Sequence, residues 1–157
     1  MDYQKLADLL FPDVTATIDE MEAKFPPRNL PEGAQVTRMG PSPTGFIHLG
    51  NLYSALADER IAHQSGGVFY LRIEDTDNKR KVEGAVETII SVLRYFGIEF
   101  DQGAGVDTEE SNVYGPYFQR QRADIYHVYA KDLVARGLAY PCFCTEEEIA
   151  QIKEEQK

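Results

Sequence analysis

The residues best suited to chemistry in this sequence lie in one segment, Gly40–Asn51. Two prolines fix the backbone there, and Gly45 permits close approach of the chain to a ligand. His48 can donate a hydrogen bond to a phosphate oxygen, and Gly50 leaves room for a ligand beside the helix that we expect to begin here. A helix N-terminus offers free N–H groups to an anion. The segment therefore predicts a phosphate-binding turn, and the alternative is a structural loop with an incidental histidine.

The elements that must hold this turn alternate between strand and helix from residue 35 onward. The patterning predicts strands at Gln35–Met39, Val68–Ile73 and Leu138–Cys144, and helices at Asn51–Ser65, Lys81–Phe96 and Gln119–Arg136. A loop rich in Gly and Asp is predicted between Asp101 and Pro116. This order is typical of parallel βαβ units, so we expect an α/β fold with the turn at the carboxyl end of the first strand.

Residues 1–34 precede this alternation and read as a separate helical extension. Leu6, Leu9 and Leu10 fall at helical spacing. Thr17 followed by Glu20 is a candidate capping box for a second short helix, which Pro26 and Pro27 would end. None of these residues suggests chemistry.

Composition and charge narrow the class of protein. The chain has 157 residues with 26 acidic against 16 basic side chains, a formal net charge of -10. Nucleic-acid binders are usually basic, so this chain alone is expected to grip RNA poorly. It has no apolar run long enough for a membrane span and no basic start followed by an apolar stretch. We therefore expect a cytoplasmic protein without a membrane partner.

The segment Arg38–Asn51 resembles the first signature of the class I aminoacyl-tRNA synthetases, whose core is His-Ile-Gly-His. Its extended form resembles the glutamyl members of that family in particular, because the glutaminyl members usually have Pro-Glu-Pro-Asn-Gly where this sequence has Pro-Ser-Pro-Thr-Gly. Arg72–Asp77 and Tyr114–Tyr117, with the Gln121-Arg122 pair that follows, match the same members. The resemblance runs from about Val36 to Thr145.

The sequence departs from that pattern at a few points. Asn51 replaces the second histidine of the core, and Met39-Gly40 stands where Phe-Ala is common. The second class signature, Lys-Met-Ser-Lys-Ser, does not occur in these 157 residues. We therefore expect a fragment of a longer protein.

The resemblance implies a fold and an activity. It implies the first half of a Rossmann-like catalytic domain at residues 35–145, with residues 146–157 opening an inserted acceptor-binding domain. The implied reaction is ATP-dependent activation of L-glutamate, with Mg²⁺ on the phosphates, followed by transfer to tRNA. On this view tRNA is held mainly by domains outside this chain, and the chain by itself is inactive.

The resemblance also implies roles for individual residues. Arg38 and Ser42 would hold the bound glutamate, and Glu74 would take its ammonium group. An ion pair of Glu74 with Arg72 or Lys79 is the structural alternative. The residues implied for ATP, of which His48 and Asn51 are the candidate catalytic pair, are Thr44, Gly45, His48, Gly50 and Asn51.

Cys142 and Cys144 are the sequence's two cysteines, and their spacing is poor for a disulfide between them. In part of the glutamyl family a Cys-x-Cys at this place supplies two of four zinc ligands. The resemblance thus implies a partial zinc site, and two reduced thiols at a strand end are the alternative.

Three other functions stay open on the sequence. A paralogue that glutamylates a modified base in tRNA would share all of these motifs. A small cytidylyltransferase uses the same His-x-Gly core, although Glu74 and the Pro-Ser-Pro-Thr-Gly string argue against it. A non-catalytic module could retain the fold, although Arg38 and His48 argue against that.

Overall fold

A computed structural model of the chain describes residues 2–43, 47–77 and 82–156. Two residues predicted to contact ATP, Thr44 and Gly45, lie outside these ranges. The helices are α1 Tyr3–Leu10, α2 Ile18–Lys24, α3 Leu49–Gln64, α4 Ala85–Tyr95, α5 Glu109–Val113, α6 Ala123–Ala135 and α7 Glu146–Glu155. The strands are β1 Val36–Met39, β2 Val68–Leu71 and β3 Gln102–Gly103, and a 3₁₀ turn at Gln119–Arg122 precedes α6.

The three strands form one parallel sheet in the order β1-β2-β3. Val36 pairs with Val68 and Met39 with Leu71, so β1 and β2 run in register in the same direction. Helix α3 connects them. The predicted parallel βαβ unit is thereby confirmed, and the Gly40–Asn51 segment follows the carboxyl end of β1.

The prediction of a third strand at Leu138–Cys144 was wrong. Residues 139–145 have no regular secondary structure, and Tyr140 and Phe143 are more than four-fifths exposed. The segment has β-forming residues, but β propensity reflects packing against neighbouring strands, and no strand of the described residues pairs with it. Helix α4 also begins later than predicted, at Ala85, because Gly84 before it adopts a left-handed conformation with φ +73°.

The third strand of the sheet is instead the dipeptide Gln102–Gly103, inside the predicted loop. Gly103 adopts φ +125°, and a Cβ there would lie 2.4 Å from the carbonyl oxygen of Leu71. The backbones of β2 and β3 can approach this closely only with glycine. Ser111, which is fully buried, fixes the strand by accepting a hydrogen bond from the Gly103 N–H at 3.0 Å.

Gly103→Ala is expected to destabilise the chain by more than about 2 kcal/mol, because it combines a strained φ with a backbone collision. Gly33→Ala is the matched control, since Gly33 also has a positive φ (+82°) but has nothing within 4 Å of an added Cβ. Urea unfolding of both variants measures the difference. Equal losses of stability would show that the close contact between β2 and β3 is not required.

The core lies between the sheet and its helices. The largest fully buried side chains of this core come from β2, from the second residue after it and from α4: Phe69, Leu71, Ile73, Ile89 and Leu93. Each such side chain contributes about 1.5–3 kcal/mol by burial. Helix α3 faces the core with Ala55 and Ala62, whose small size lets the helix lie close to the strands. The rigid part of the fold is thus centred on β2, directly before Arg72 and Glu74.

His63 links α3 to the residue before β3. Its ring nitrogens contact Glu59 at 3.1 Å and Asp101 at 2.9 Å. Asp101 also accepts the N–H of Phe69 at 2.7 Å. Burial by itself would lower the pKa of His63, but hydrogen bonds and charge from Asp101 and Glu59 outweigh it, so the pKa is raised. His63 was not predicted to have a special role, and the role that the structure shows for it is structural.

The raised pKa of His63 predicts a pH dependence of stability. The charged form is favoured in the folded state, so its stabilisation is complete below the ordinary pKa of 6.5 and is lost as pH rises through the folded value. Urea unfolding at pH 6 and pH 8.5 should show lower stability at the higher pH. His63→Gln should flatten that difference, and an unchanged difference in this variant would contradict the assignment.

The chain divides into two compact units. One comprises Met1–Ile18 with His127–Lys157, and the other comprises Asp19–Tyr126. In the first, Lys131 forms an ion pair with Asp8 at 2.9 Å and donates to the Val14 carbonyl at 2.8 Å. The domain limits at residues 34 and 145 stay predictions. Among the described residues, no helix is both long and apolar enough to cross a membrane.

Candidate active site

Arg38 and Glu74 meet just past the ends of two neighbouring strands. Arg38 is the penultimate residue of β1, and Glu74 lies three residues after β2. Their side chains form an ion pair with 2.5 Å between Arg38 Nη1 and Glu74 Oε1, and each is about one-third exposed. The carboxyl ends of parallel strands are where open α/β sheets bind ligands. The two residues predicted to hold opposite charges of one amino acid are therefore adjacent.

Backbone hydrogen bonds position this pair. The Arg72 N–H donates to the Met39 carbonyl at 3.0 Å, and the Glu74 N–H donates to the Pro41 carbonyl at 2.9 Å. The parallel pairing of β1 and β2 thus continues past the strand ends into the turn. Glu74 is held beside the turn by main-chain contacts.

Arg72 is a second partner of Glu74. Its Nη2 donates to Glu74 Oε1 at 3.2 Å, so one carboxylate oxygen receives two guanidinium groups. Partial burial would raise the pKa of Glu74, but the hydrogen bonds and charges of Arg38 and Arg72 outweigh it and lower the pKa below its usual value. Glu74 is consequently an anion at neutral pH. The sequence identified Arg72 only as an alternative partner of Glu74.

Gly40 makes room for the ion pair, a role that the sequence did not reveal. A Cβ at this position would lie 2.8 Å from Glu74 Oε1 and 3.0 Å from Arg38 Cζ. Any larger residue would require the Arg38 head group to move. Gly40, where the family commonly has alanine, therefore leaves the space that the Arg38 head group occupies.

Asp58 is a further charged neighbour that sequence reasoning missed. It lies on α3, where its carbonyl accepts a hydrogen bond from the Thr37 hydroxyl at 2.8 Å. Burial raises the pKa of Asp58, and the charge of Arg38 partly opposes that rise. Asp58 lies in a helix ten residues after His48, and the sequence alone did not indicate that it would lie near Arg38.

His48 and Asn51 form the start of α3. His48 is the residue before the helix, and its N–H donates to Asn51 Oδ1 at 3.2 Å. Asn51 thus caps the helix N-terminus through its side chain. His48 is exposed, and its ring lies 3.1 Å from the position of a Cβ on Gly50. Gly50 therefore lets the imidazole lie against the first turn of α3, at the end where helix N–H groups face an anion.

Ser42 is the remaining predicted glutamate-binding residue that the structure describes. Ser42 is exposed on the turn, followed by Pro43, which is buried. The structure thus brings together Arg38 with Glu74, and His48 with Gly50 and Asn51. The roles of these residues in binding glutamate and ATP stay predictions at this point.

The two cysteines do not form a complete metal site. Both are free and exposed, and the described residues contain no group of three or more His, Cys, Asp or Glu side chains that could hold a metal ion. A hydrogen bond that the Cys144 thiol shares with Cys142, together with the charge of Cys142, raises the pKa of Cys144. The two exposed thiols could supply only two of the four ligands that a structural zinc site requires.

This fold and site match a known class of protein. The profile of the family described as "tRNA synthetases class I (E and Q), catalytic domain" matches residues 35–157. The match covers most of the sequence and includes every residue of the Arg38–Glu74 and His48–Asn51 groups. The chain belongs to this family.

Its relatives narrow the class to one kind of synthetase. The chain is 64% identical over 157 residues to a protein of Acetivibrio thermocellus named glutamate–tRNA ligase, covering 99% of this chain and 29% of that protein. It is 52% identical over 156 residues to the glutamate–tRNA ligase of Clostridium perfringens strain 13, with the same two coverages. The chain thus spans under a third of these relatives' length.

Solved structures give the same result. A glutamate tRNA ligase from Elizabethkingia meningosepticum, in complex with its amino acid, is 41% identical with a TM-score of 0.67. A glutamate-tRNA synthetase from Elizabethkingia anophelis is 40% identical with a TM-score of 0.65. The two cover 79% and 78% of this chain, and the chain covers 24% of each. The predicted first half of a class I synthetase fold is confirmed.

Proposed function

We propose that the chain is the amino-terminal part of a glutamate–tRNA ligase, which activates L-glutamate with ATP and transfers it to tRNA. The observation that carries this proposal is the Arg38–Glu74 pair beside the turn that leads into α3. An amino acid with an extra carboxylate needs a cation and an anion at fixed separation, and these residues supply both. The names of the most similar relatives support glutamate as the substrate.

On binding, glutamate replaces the direct contact between Arg38 and Glu74. The guanidinium of Arg38 turns to a substrate carboxylate, whose two oxygens match its fork. Ser42, on the turn, adds a hydrogen bond to the same substrate. Glu74 receives the α-ammonium group, and Arg72 keeps Glu74 ionised and oriented. Each charge of the substrate is thereby paired where burial would otherwise be costly.

Activation is an in-line displacement at the α-phosphorus of ATP. A substrate carboxylate oxygen forms the new bond to phosphorus, the bond from that phosphorus to the bridging oxygen breaks, and pyrophosphate leaves with the electron pair. His48 and the N–H groups at the start of α3 stabilise charge on the phosphates, with Mg²⁺ accompanying ATP. Thr44 and Gly45, which lie outside the described residues, are further residues that we assign to ATP. A ribose hydroxyl of tRNA then attacks the glutamyl carbonyl, and AMP departs.

Contacts with tRNA are proposed to lie mainly outside this chain. Its net charge of -10 disfavours a phosphate backbone, and the relatives are more than three times longer. A zinc ion held partly by Cys142 and Cys144 would require ligands from elsewhere in the longer protein.

Titration of the 157-residue chain with a non-hydrolysable glutamyl-adenylate analogue and, separately, with CTP tests this function. We expect the analogue to bind, and Arg38→Ala to weaken that binding at least tenfold. Arg60→Ala is the control, because Arg60 is exposed on α3 and contacts Glu59 rather than Glu74. Tighter binding of CTP than of the analogue would instead indicate a cytidylyltransferase.

A further inference from the structure

A second cationic site lies beside β2, within the unit Asp19–Tyr126. It is a cavity of about 360 Å³, and the residues that define it are Arg28, Arg72, Arg122, Tyr70, Tyr114 and Tyr117. We call it the arginine pocket. No Asp or Glu among the described residues lines it, which is unusual in a chain with 26 acidic residues.

Two of the three guanidiniums are held by neutral acceptors. Arg28 Nη2 donates to Gln102 Oε1 at 2.9 Å. Arg122 Nη1 donates to the carbonyl oxygens of Pro116 at 2.9 Å and Tyr114 at 3.2 Å. Only Arg72 contacts a described carboxylate, that of Glu74, which it shares with Arg38. The pocket therefore carries positive charge that its own walls do not balance.

The pocket also has more buried donors than acceptors. The Nε atoms of Arg28, Arg72 and Arg122 are buried and find no hydrogen-bond partner among the described residues. The same holds for Nε2 of Gln102, a residue only 1% exposed, whose Oε1 is already engaged by Arg28 and by the Tyr117 hydroxyl. Buried donors without acceptors are costly, so the three arginine donors that line this one cavity indicate an oxygen-rich anion.

Aromatic rings hold the guanidiniums in place before any ligand arrives. Arg28 Cζ lies 3.9 Å from the centre of the Tyr114 ring and 5.6 Å from that of Tyr70. Arg122 Cζ lies 5.6 Å from the centre of the Phe25 ring. Because these contacts fix side chains that are otherwise flexible, an anion would bind with less loss of conformational entropy.

We propose that the arginine pocket binds a phosphate oxyanion, either free or as a phosphate monoester. A phosphate offers three or four oxygens to a planar guanidinium fork, which suits a site with several donors better than a two-oxygen carboxylate does. The site shares no residue with the turn before α3. It contacts the proposed glutamate site only through Arg72. Arg28 belongs to the extension before β1, and the sequence suggested no chemistry for that extension.

Phosphate, pyrophosphate and AMP titrated separately into the 157-residue chain test this proposal. Calorimetry gives the Kd, and the backbone amide and arginine Nε–H resonances in NMR spectra locate the site. We expect the resonances of Arg28, Arg72 and Arg122 to shift with one common Kd. This Kd should rise as the salt concentration is raised. Tightest binding of AMP identifies a monoester as the ligand, and tightest binding of phosphate or pyrophosphate identifies a free oxyanion.

Variants distinguish this pocket from other anion sites. Arg28→Gln should raise the Kd at least tenfold, whereas Arg60→Gln should change the Kd less than twofold. His48→Ala removes a residue of the proposed ATP turn and should also leave the Kd unchanged, so failure of the proposed function does not affect this result. An unchanged Kd in Arg28→Gln would overturn the proposal. So would wild-type shifts confined to the first turn of α3, a result that does not depend on any variant folding.

Discussion

Glu74→Gln in the complete ligase should raise the KM for glutamate about 30-fold or more and leave the KM for ATP within about twofold. Glutamine keeps the size of Glu74 and one accepting oxygen but lacks the negative charge that we assign to the substrate ammonium group. Removing one partner of a desolvated charge pair costs about 2–5 kcal/mol, and each 1.4 kcal/mol is a tenfold change. Initial rates of ATP–pyrophosphate exchange at varied glutamate and varied ATP measure the two constants.

Glu87→Gln is a matched control for this substitution, because Glu87 lies exposed on α4. It should change neither constant. The two arginines that contact Glu74 make a structural explanation conceivable, since they would lose their anion in the variant. If that were the role of Glu74, the two KM values would rise together, and the assignment to the substrate would be wrong.

The 157-residue chain alone should show no glutamate-dependent ATP–pyrophosphate exchange. It contains the turn with His48 and the pair Arg38–Glu74, but not the Lys-Met-Ser-Lys-Ser loop that the resemblance places across the triphosphate. One hydrogen-bond donor to developing charge contributes roughly 10²–10³ in rate, and two lysines are missing together. The expected loss therefore exceeds what an exchange assay detects.

This assay should include tRNA, so that an activator is not missing, and the complete ligase should serve as the positive control. Weak binding of ATP to the chain would agree with the account, because the N-terminus of α3 is intrinsic to it. Exchange by the purified chain that His48→Ala abolishes would falsify the prediction. It would mean that this half of the site suffices for activation.

Local patterning predicted the parts of the fold with strong periodicity. The strands β1 and β2 and the helix between them were predicted from the strand and helix patterning of residues 35–73. Gln102–Gly103 could not be found in this way, because two residues carry no period and glycine disfavours strands. That strand depends on contacts with Leu71 and Ser111, which are far apart from each other in the sequence and are brought together only by the fold.

The roles of Arg38 and Glu74 were implied by the family resemblance and stay predictions, but their proximity follows from the parallel strands. Arg38 and Glu74 could be placed together because adjacent parallel strands deliver both to one edge of the sheet. The participation of Arg72 and the space left by Gly40 depend on side-chain directions that spacing alone does not specify. Arg28 was missed for the same reason, since only the tertiary structure brings the amino-terminal extension to β2.

The most direct test of the central claim is the amino-acid dependence of ATP–pyrophosphate exchange by the complete ligase, measured with tRNA present for the wild type and for Arg38→Ala. We expect exchange with L-glutamate, no exchange above background with L-glutamine or without an amino acid, and a loss of at least 100-fold in the variant. Equal exchange with glutamine, or an unchanged rate in Arg38→Ala, would contradict the assignment of the Arg38–Glu74 pair to glutamate.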